Sequence, residues 1–265
     1  LLFLFGLGLS KAQAAFELPM GGPRSVALGG AGVALAGDVW GSSRNPAICA
    51  ATADGFGFFW AREFGLPELT REVLLSRLLV GGQPVALRAS NLGGELYREG
   101  DLGCTLARSI IPGVAVGLET DLKWLEIKGY STAKLATFTG GIWTVPWPGA
   151  AFGAVWRHFN EPRIPGYEGR LPSSLALGFA ARVGTAGTVA ADLLQEQHFR
   201  AEYRFGAEVK VHPILMLRIG ASAEPVRPAA GFELSSGRWI FDYGGDLHPD
   251  LGPSHHVGLS FRFRP

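Results

Sequence analysis

From Asp54 onward, apolar and polar positions alternate along the chain. Val114, Val116, Leu118, Thr120, Leu122 and Trp124 share one parity, and Ala115, Gly117, Glu119, Asp121, Lys123 and Leu125 the other. Tyr203, Phe205, Ala207, Val209 and Val211 alternate with Arg204, Gly206, Glu208, Lys210 and His212 in the same way. The pattern returns in Leu215–Glu224 and in Val257–Phe263. A period of two held over about ten residues is the signature of a β-strand. It predicts fourteen strands, over 54–62, 71–80, 83–91, 95–108, 112–126, 134–146, 149–160, 172–183, 186–197, 202–212, 214–224, 228–235, 237–247 and 254–263.

The connections add a second regularity. Every even-numbered one is tight: Gly81-Gly82, Ile111-Pro112-Gly113, Trp147-Pro148, Thr185, Pro213 and Ser236. The odd-numbered ones are mostly longer, near 63–70, 127–133, 161–171, 198–201 and 248–253, with short exceptions near 92–94 and 225–227. Short turns at one end and longer loops at the other are the layout of an outer-membrane barrel. With the N-terminal segment on the periplasmic side, the tight turns are periplasmic and the longer loops external.

The first residues do not share the pattern. Leu1–Leu9 is an apolar run, and Ala12-Gln13-Ala14 has the small-x-small form of a leader cleavage site. Residues 1–14 are expected to be a signal peptide begun part-way through its length, with the mature chain starting near Ala15 or Phe16. Residues 23–53 are rich in Gly, Ala and Ser and poor in long apolar side chains. They hold one good helix start, with Asn45 as N-cap and Pro46 at the first helical position. Such a segment can sit inside something narrow.

Alternation alone does not say which way the apolar face points, because a soluble β-sandwich alternates too. Composition separates the two. Only 18% of residues are charged and 47% are hydrophobic, and glycine supplies 38 of 265 residues, about twice its usual share. The non-apolar face is heavy in Gly, Ala and Ser, which suits a crowded lumen better than a solvated surface. Trp124, Trp143, Trp147, Trp156, Trp239 and Tyr243 fall near strand ends, as in interfacial girdles. Lipid offers the backbone no hydrogen-bond partners, so the strands must close into a ring. Val114, Leu118, Phe205, Leu217, Leu259 and Phe261 are then expected to face acyl chains. Glu119, Asp121, Lys123, Arg204, Glu208, Lys210, Arg218 and Asp242 are expected to face the lumen, either as structural ion pairs or as a polar conduit.

Other chemistry is sparse. A net charge of +1 gives no electrostatic support for nucleic-acid binding. Cys49 and Cys104 are too few for a disulfide framework and read as small packing residues. No metal-ligand spacing occurs, and no cofactor is indicated. Ser254, His255 and His256 coexist in sequence, but no base-orienter constellation accompanies them, so an enzyme is not expected.

The run Ser25–Asp38, containing Ala27-Leu28-Gly29-Gly30-Ala31, followed by Asn45-Pro46-Ala47, resembles the start of FadL-like and PorV/PorQ-like outer-membrane proteins. Weaker similarities, such as Phe159-Asn160-Glu161-Pro162 and the stretch His248–His255, extend it over nearly all of the mature chain. The resemblance implies a fourteen-stranded transmembrane barrel over 54–265 with an N-terminal hatch over 15–53. Gly29, Gly30, Asp38, Asn45, Pro46 and Ala47 would be hatch residues. It also implies outer-membrane lipid as surroundings, and one of two roles. One is passive transport of a hydrophobic or amphipathic small molecule. The other is partnership with secretion machinery, as in PorV/PorQ-like proteins of type IX secretion, to which the short loops are closer. A purely structural barrel is a third reading.

Overall fold

The structure, a computed structural model, describes Phe16 and residues 21–130, 132–166, 169–197 and 199–263. The expected leader over 1–14 lies outside these residues. Fourteen strands form: β1 (Gly55–Arg62), β2 (Thr70–Val80), β3 (Gln83–Gly93), β4 (Tyr97–Ile111), β5 (Val114–Ile127), β6 (Ala133–Trp147), β7 (Ala150–Arg157), β8 (Ser174–Val183), β9 (Gly187–Glu196), β10 (Glu202–His212), β11 (Leu215–Ser222), β12 (Arg227–Ser236), β13 (Trp239–His248) and β14 (Gly252–Arg262). Each pairs with its sequence neighbour, and β1 pairs antiparallel with β14 from Gly55↔Arg262 to Arg62↔His255, which closes the ring. Closure gives every strand a neighbour on both sides, so the sheet has no edge strand.

The two parities face opposite ways. On β5, Leu122 is 58% exposed while Asp121 beside it is 2% exposed. Leu118, Phe205, Leu217 and Leu259 are likewise exposed, whereas Glu119, Lys123, Glu208, Arg218 and Asp242 are buried. The wall is therefore apolar outside and polar inside, the reverse of a soluble barrel. Lys210 shares the inward parity but stands at the tight-turn end of β10, at a bulge, and is exposed.

One girdle expectation is corrected. Trp143 points inward, and its Nε1–H donates to the carbonyl of Ala34 at 2.9 Å. Its parity on β6 is that of buried Thr137 and Thr139, so strand register overrides its place near a strand end. Trp147, Trp156 and Trp239 do face outward. Both cysteines are free, Cys49 buried and Cys104 exposed.

The segment before β1 lies within the ring. It forms α1 (Gly22–Ala27), α2 (Gly41–Arg44) and a 3₁₀ helix over Pro46–Ala51, and it touches strands on all sides of the barrel. The fit depends on lumenal glycines. A Cβ at Gly220 would lie 2.2 Å from the Leu28 carbonyl carbon, and one at Gly153 2.3 Å from the Val33 oxygen. No side chain fits at either place.

The ladder is uneven. Strand β4 meets β5 over fourteen register pairs, whereas β6 meets β7 over six, beginning only at Gly140↔Trp156. Positive φ at His158 and Glu161 turns the chain out of the wall after Arg157, so β7 ends short of the expected 149–160. The Asn160 side chain takes over. Its Oδ1 accepts the Phe138 N–H at 3.0 Å and its Nδ2 donates to the Ala136 carbonyl at 2.9 Å. The following connection folds inward, where Ile164 and Leu171 pack with Phe16, Ala133 and Leu135.

Candidate functional site

The lumenal segment is pinned to the wall by a few polar groups. Asn45 is fully buried. Its Oδ1 accepts the Ala47 N–H at 3.0 Å and caps the 3₁₀ helix, with Pro46 preset for the first helical position. Its Nδ2 donates to Val33 at 3.0 Å and to Ile142 of β6 at 2.9 Å. One side chain thus joins the helix start, the preceding loop and the barrel. Gly29 and Gly30 take positive φ (66° and 86°) to carry the chain out of α1.

Asp38 sits between two guanidinium groups, Arg24 and Arg44, each at 2.6 Å. Burial alone would raise its pKa, but the Arg44 and Arg24 charges outweigh that and hold it below the usual carboxylate range. Arg24 also reaches Glu208 of β10 at 2.5 Å. Glu208 shares Arg218 with Asp242 and Glu233 (Arg218–Asp242, 2.5 Å). The wall and the segment therefore hold one continuous ionic network through Asp38, Arg24, Glu208, Arg218 and Asp242. A second network lies on β3–β5, where Arg88 reaches Glu119 at 2.8 Å, Asp121 at 2.7 Å and Asp101 at 3.0 Å. Lys123 places its ammonium 5.8 Å from the centre of the Phe16 ring. Arg204 pairs with Glu202 at 2.9 Å.

Of the residues singled out from sequence, Asp38, Glu208, Arg218 and Asp242 come together, and so do Glu119 and Asp121. Lys210 joins neither group. Sequence reasoning missed Arg24 and Arg44, the two basic side chains in a segment rich in small residues. It also missed Asp192 of β9. Its Oδ2 accepts the N–H groups of Gly32 and Val33 at 2.7 and 2.9 Å. The inward parity of Asp192 was readable; its backbone partners were not.

Between this segment and the long-loop end lies a cavity of about 430 Å³. Val26, Val33, Leu171, Leu194 and Phe199 give it apolar stretches, and Arg44, Arg157, His158, Asp192, Glu196, Glu202, Arg204, Arg227 and Asp246 give it an equally extensive polar lining. Pockets for small ligands run from about 300 to 1,000 Å³. Arg157 is 9% exposed and donates to the Arg44 carbonyl at 2.7 Å. Among the described residues no carboxylate lies within ion-pair distance of it. A guanidinium so buried can accept an anionic group that enters with an apolar body. Burial, helped by the nearby Lys123 charge, pushes the neighbouring His158 down to about 3, so it is neutral at ordinary pH.

Metal and hydrolytic chemistry find little here. Among the described residues, no group of three or more His, Cys, Asp or Glu could hold a metal ion. Ser254 Oγ accepts the Phe64 N–H at 3.1 Å, while His255 faces outward to Tyr243 at 2.8 Å. His256 is buried, 3.7 Å from Asp246, and no hydrogen bond joins it to Ser254.

No protein-family model and no curated protein sequence matches the chain. Solved structures do. A CymD monoaromatic hydrocarbon channel superposes with a TM-score of 0.69 at 14% identity, covering 95% of this chain and 100% of the other. The P. putida toluene transporter TodX gives 0.66 at 13% identity, covering 94% and 100%. A Pseudomonas aeruginosa FadL homologue gives 0.60 at 10% identity, covering 92% and 98%. The fold is thus the FadL-like closed barrel of fourteen strands. None of the three supports the PorV/PorQ side of the resemblance.

Proposed function

We propose that this chain is an outer-membrane channel for passive transport of hydrophobic or amphipathic small molecules, with residues 15–53 acting as its hatch. The observation that carries the reading is the amphipathic cavity at the long-loop end, walled by apolar and charged side chains and set directly on the segment that fills the lumen. A solute entering from outside meets apolar patches at Val33, Leu171, Leu194 and Phe199 beside the charged groups of Arg157, Asp192, Glu202 and Arg204 before it meets the hatch. The outward apolar face supplies the membrane-spanning surface, and the tied lumenal network keeps the barrel from being an open water pore. The structural neighbours support the same class of role, since their descriptions are of a toluene transporter and a monoaromatic hydrocarbon channel. The chain is read as a channel and not as an enzyme.

The test is uptake into vesicles carrying the purified full chain, with toluene as the neutral probe and octanoate as the amphipathic one. Both probes are expected to enter faster than into empty vesicles. Arg157→Gln is expected to weaken octanoate binding by roughly 10- to 100-fold, the worth of one hydrogen-bonded charge, and to leave toluene unchanged. Deleting residues 23–53 is expected to change the flux of both. Entry of both probes at the rate of empty vesicles would overturn the transport reading.

A further inference from the structure

On the outer wall, β4, β5 and β6 frame a groove of about 610 Å³ lined by Leu102, Leu122, Trp124, Leu135 and Ala136, with Lys123, Glu126 and Lys134 as its charged members. It exists because small residues stand where the surrounding wall has large ones. Gly100 has no side chain, and the Trp124 ring lies over it, 2.2 Å from where a Cβ would be. Ala136 opens the other side. At the long-loop end of the groove stand Arg98, paired in register with Glu126, and Lys134, paired in register with Trp124. Arg98 and Lys134 are exposed. Among the described residues neither makes an ion pair or a side-chain hydrogen bond, with Glu126 or otherwise. Two strand spacings and a two-residue offset along β5 separate them, about 12 Å at the backbone, which two long side chains can close onto one headgroup. Lys128 adds a third cation just above. On β8 and β9, Leu175 and Gln195, paired in register, face outward without charge.

We infer that this groove holds one phosphorylated, acylated lipid of the outer leaflet. Its phosphate lies between Arg98 and Lys134, and an acyl chain runs along Leu102, Leu122 and Ala136 beside Trp124. The inference rests on the outer-membrane reading above. Free cations above an apolar groove match an anionic headgroup above its chains, as basic residues at a membrane surface attract anionic lipid. Glu126 lowers the local charge but leaves it positive.

The full chain in mild detergent is mixed with micelles containing either diphosphorylated lipid A or zwitterionic phosphatidylethanolamine. Native mass spectrometry then counts the lipid retained on each barrel. One lipid A is expected to stay bound and phosphatidylethanolamine to be lost. The double variant Arg98→Gln/Lys134→Gln is expected to bind lipid A roughly 30-fold more weakly, with unchanged heat-modifiable migration on a gel. Equal retention of the two lipids overturns the inference, as does a double variant that binds like the parent. Displacement of lipid A by an equal concentration of inorganic pyrophosphate also overturns it, because the acyl groove then contributes nothing. Fractionation of cells separates the two readings. A chain found outside the membrane defeats both, whereas a membrane-bound chain without lipid preference defeats only this one.

Discussion

Replacing Asp192 by alanine isolates one of the ties between the lumenal segment and the barrel. Its Oδ2 accepts two backbone N–H groups, from Gly32 at 2.7 Å and Val33 at 2.9 Å. Hydrogen bonds to a charged group contribute about 1.5–3 kcal/mol each, so the pair is worth about 3–6 kcal/mol. Since 1.4 kcal/mol is about a factor of ten, local opening around Gly32 should become about 10²- to 10⁴-fold more frequent. The lower end is expected, because the 430 Å³ cavity adjoins the site and lets water reach the freed N–H groups. Asp192→Asn keeps a neutral acceptor and should lose about half as many decades. Hydrogen–deuterium exchange in detergent reads this directly, comparing peptides over residues 29–36 with peptides from β12–β14. Unchanged exchange at Gly32 and Val33 in Asp192→Ala would show that packing, not the carboxylate, holds the loop. Equal acceleration throughout the strands would show that Asp192 stabilises the wall instead. Either result refutes the reasoning.

Three further outcomes follow from the same geometry. Gly220→Ala puts a Cβ 2.2 Å from the Leu28 carbonyl carbon and 2.3 Å from the Gly29 nitrogen, so the segment must retreat by about 1 Å to reach ordinary contact; planar-bilayer conductance should rise while the barrel still migrates as folded, and parental conductance counts against the close fit. His158 has a folded pKa of about 3 against an ordinary value near 6.5, so the unfolded state binds the extra proton between those values. Stability is full above about pH 6.5 and falls by up to about 1.4 kcal/mol per unit as pH drops toward 3; His158→Phe should flatten that slope in thermal melts, and an identical slope excludes His158 as its source. Burial pushes the Cys49 thiol up to about 11, leaving roughly one part in a thousand as thiolate at pH 8. Maleimide should therefore label it only after denaturation, and rapid native labelling would mean that the segment leaves the lumen.

The strands and their faces were legible because a period of two persists wherever one side meets apolar surroundings. Even so, β7 was read three residues too far at its end and one too early at its start. Trp156, Arg157 and His158 continue the alternation, but the positive φ of His158 and the side-chain ladder of Asn160 are set by tertiary contacts. Trp143 was misplaced because nearness to a strand end is a weaker cue than parity. In the lumenal segment, Asn45 and Pro46 announced a helix start through capping chemistry. The helix is 3₁₀, and α1 and α2 carry no side-chain cap, so they left no such mark. Asp38 was noticed as part of a motif, and its partners Arg24 and Arg44 are near in sequence, yet Arg24's other partner, Glu208, lies 184 residues on. No local pattern encodes a contact of that range. The cavity was not legible either, since it is bounded by a loop, a helix and strands that meet only in three dimensions.

The seam between β6 and β7 gives the barrel a mechanical weak point. In a closed hoop, tension around the circumference is the same at every junction. The junction with the fewest ladder bonds therefore bears the greatest load per bond. Six register pairs at β6–β7 carry what fourteen carry at β4–β5, and beyond them the seam is reinforced by the Phe159 N–H on the Phe138 carbonyl and by the Asn160 side chain. When the surrounding bilayer stretches or thins, this hoop yields first at that seam, and the other thirteen junctions move as one rigid arc.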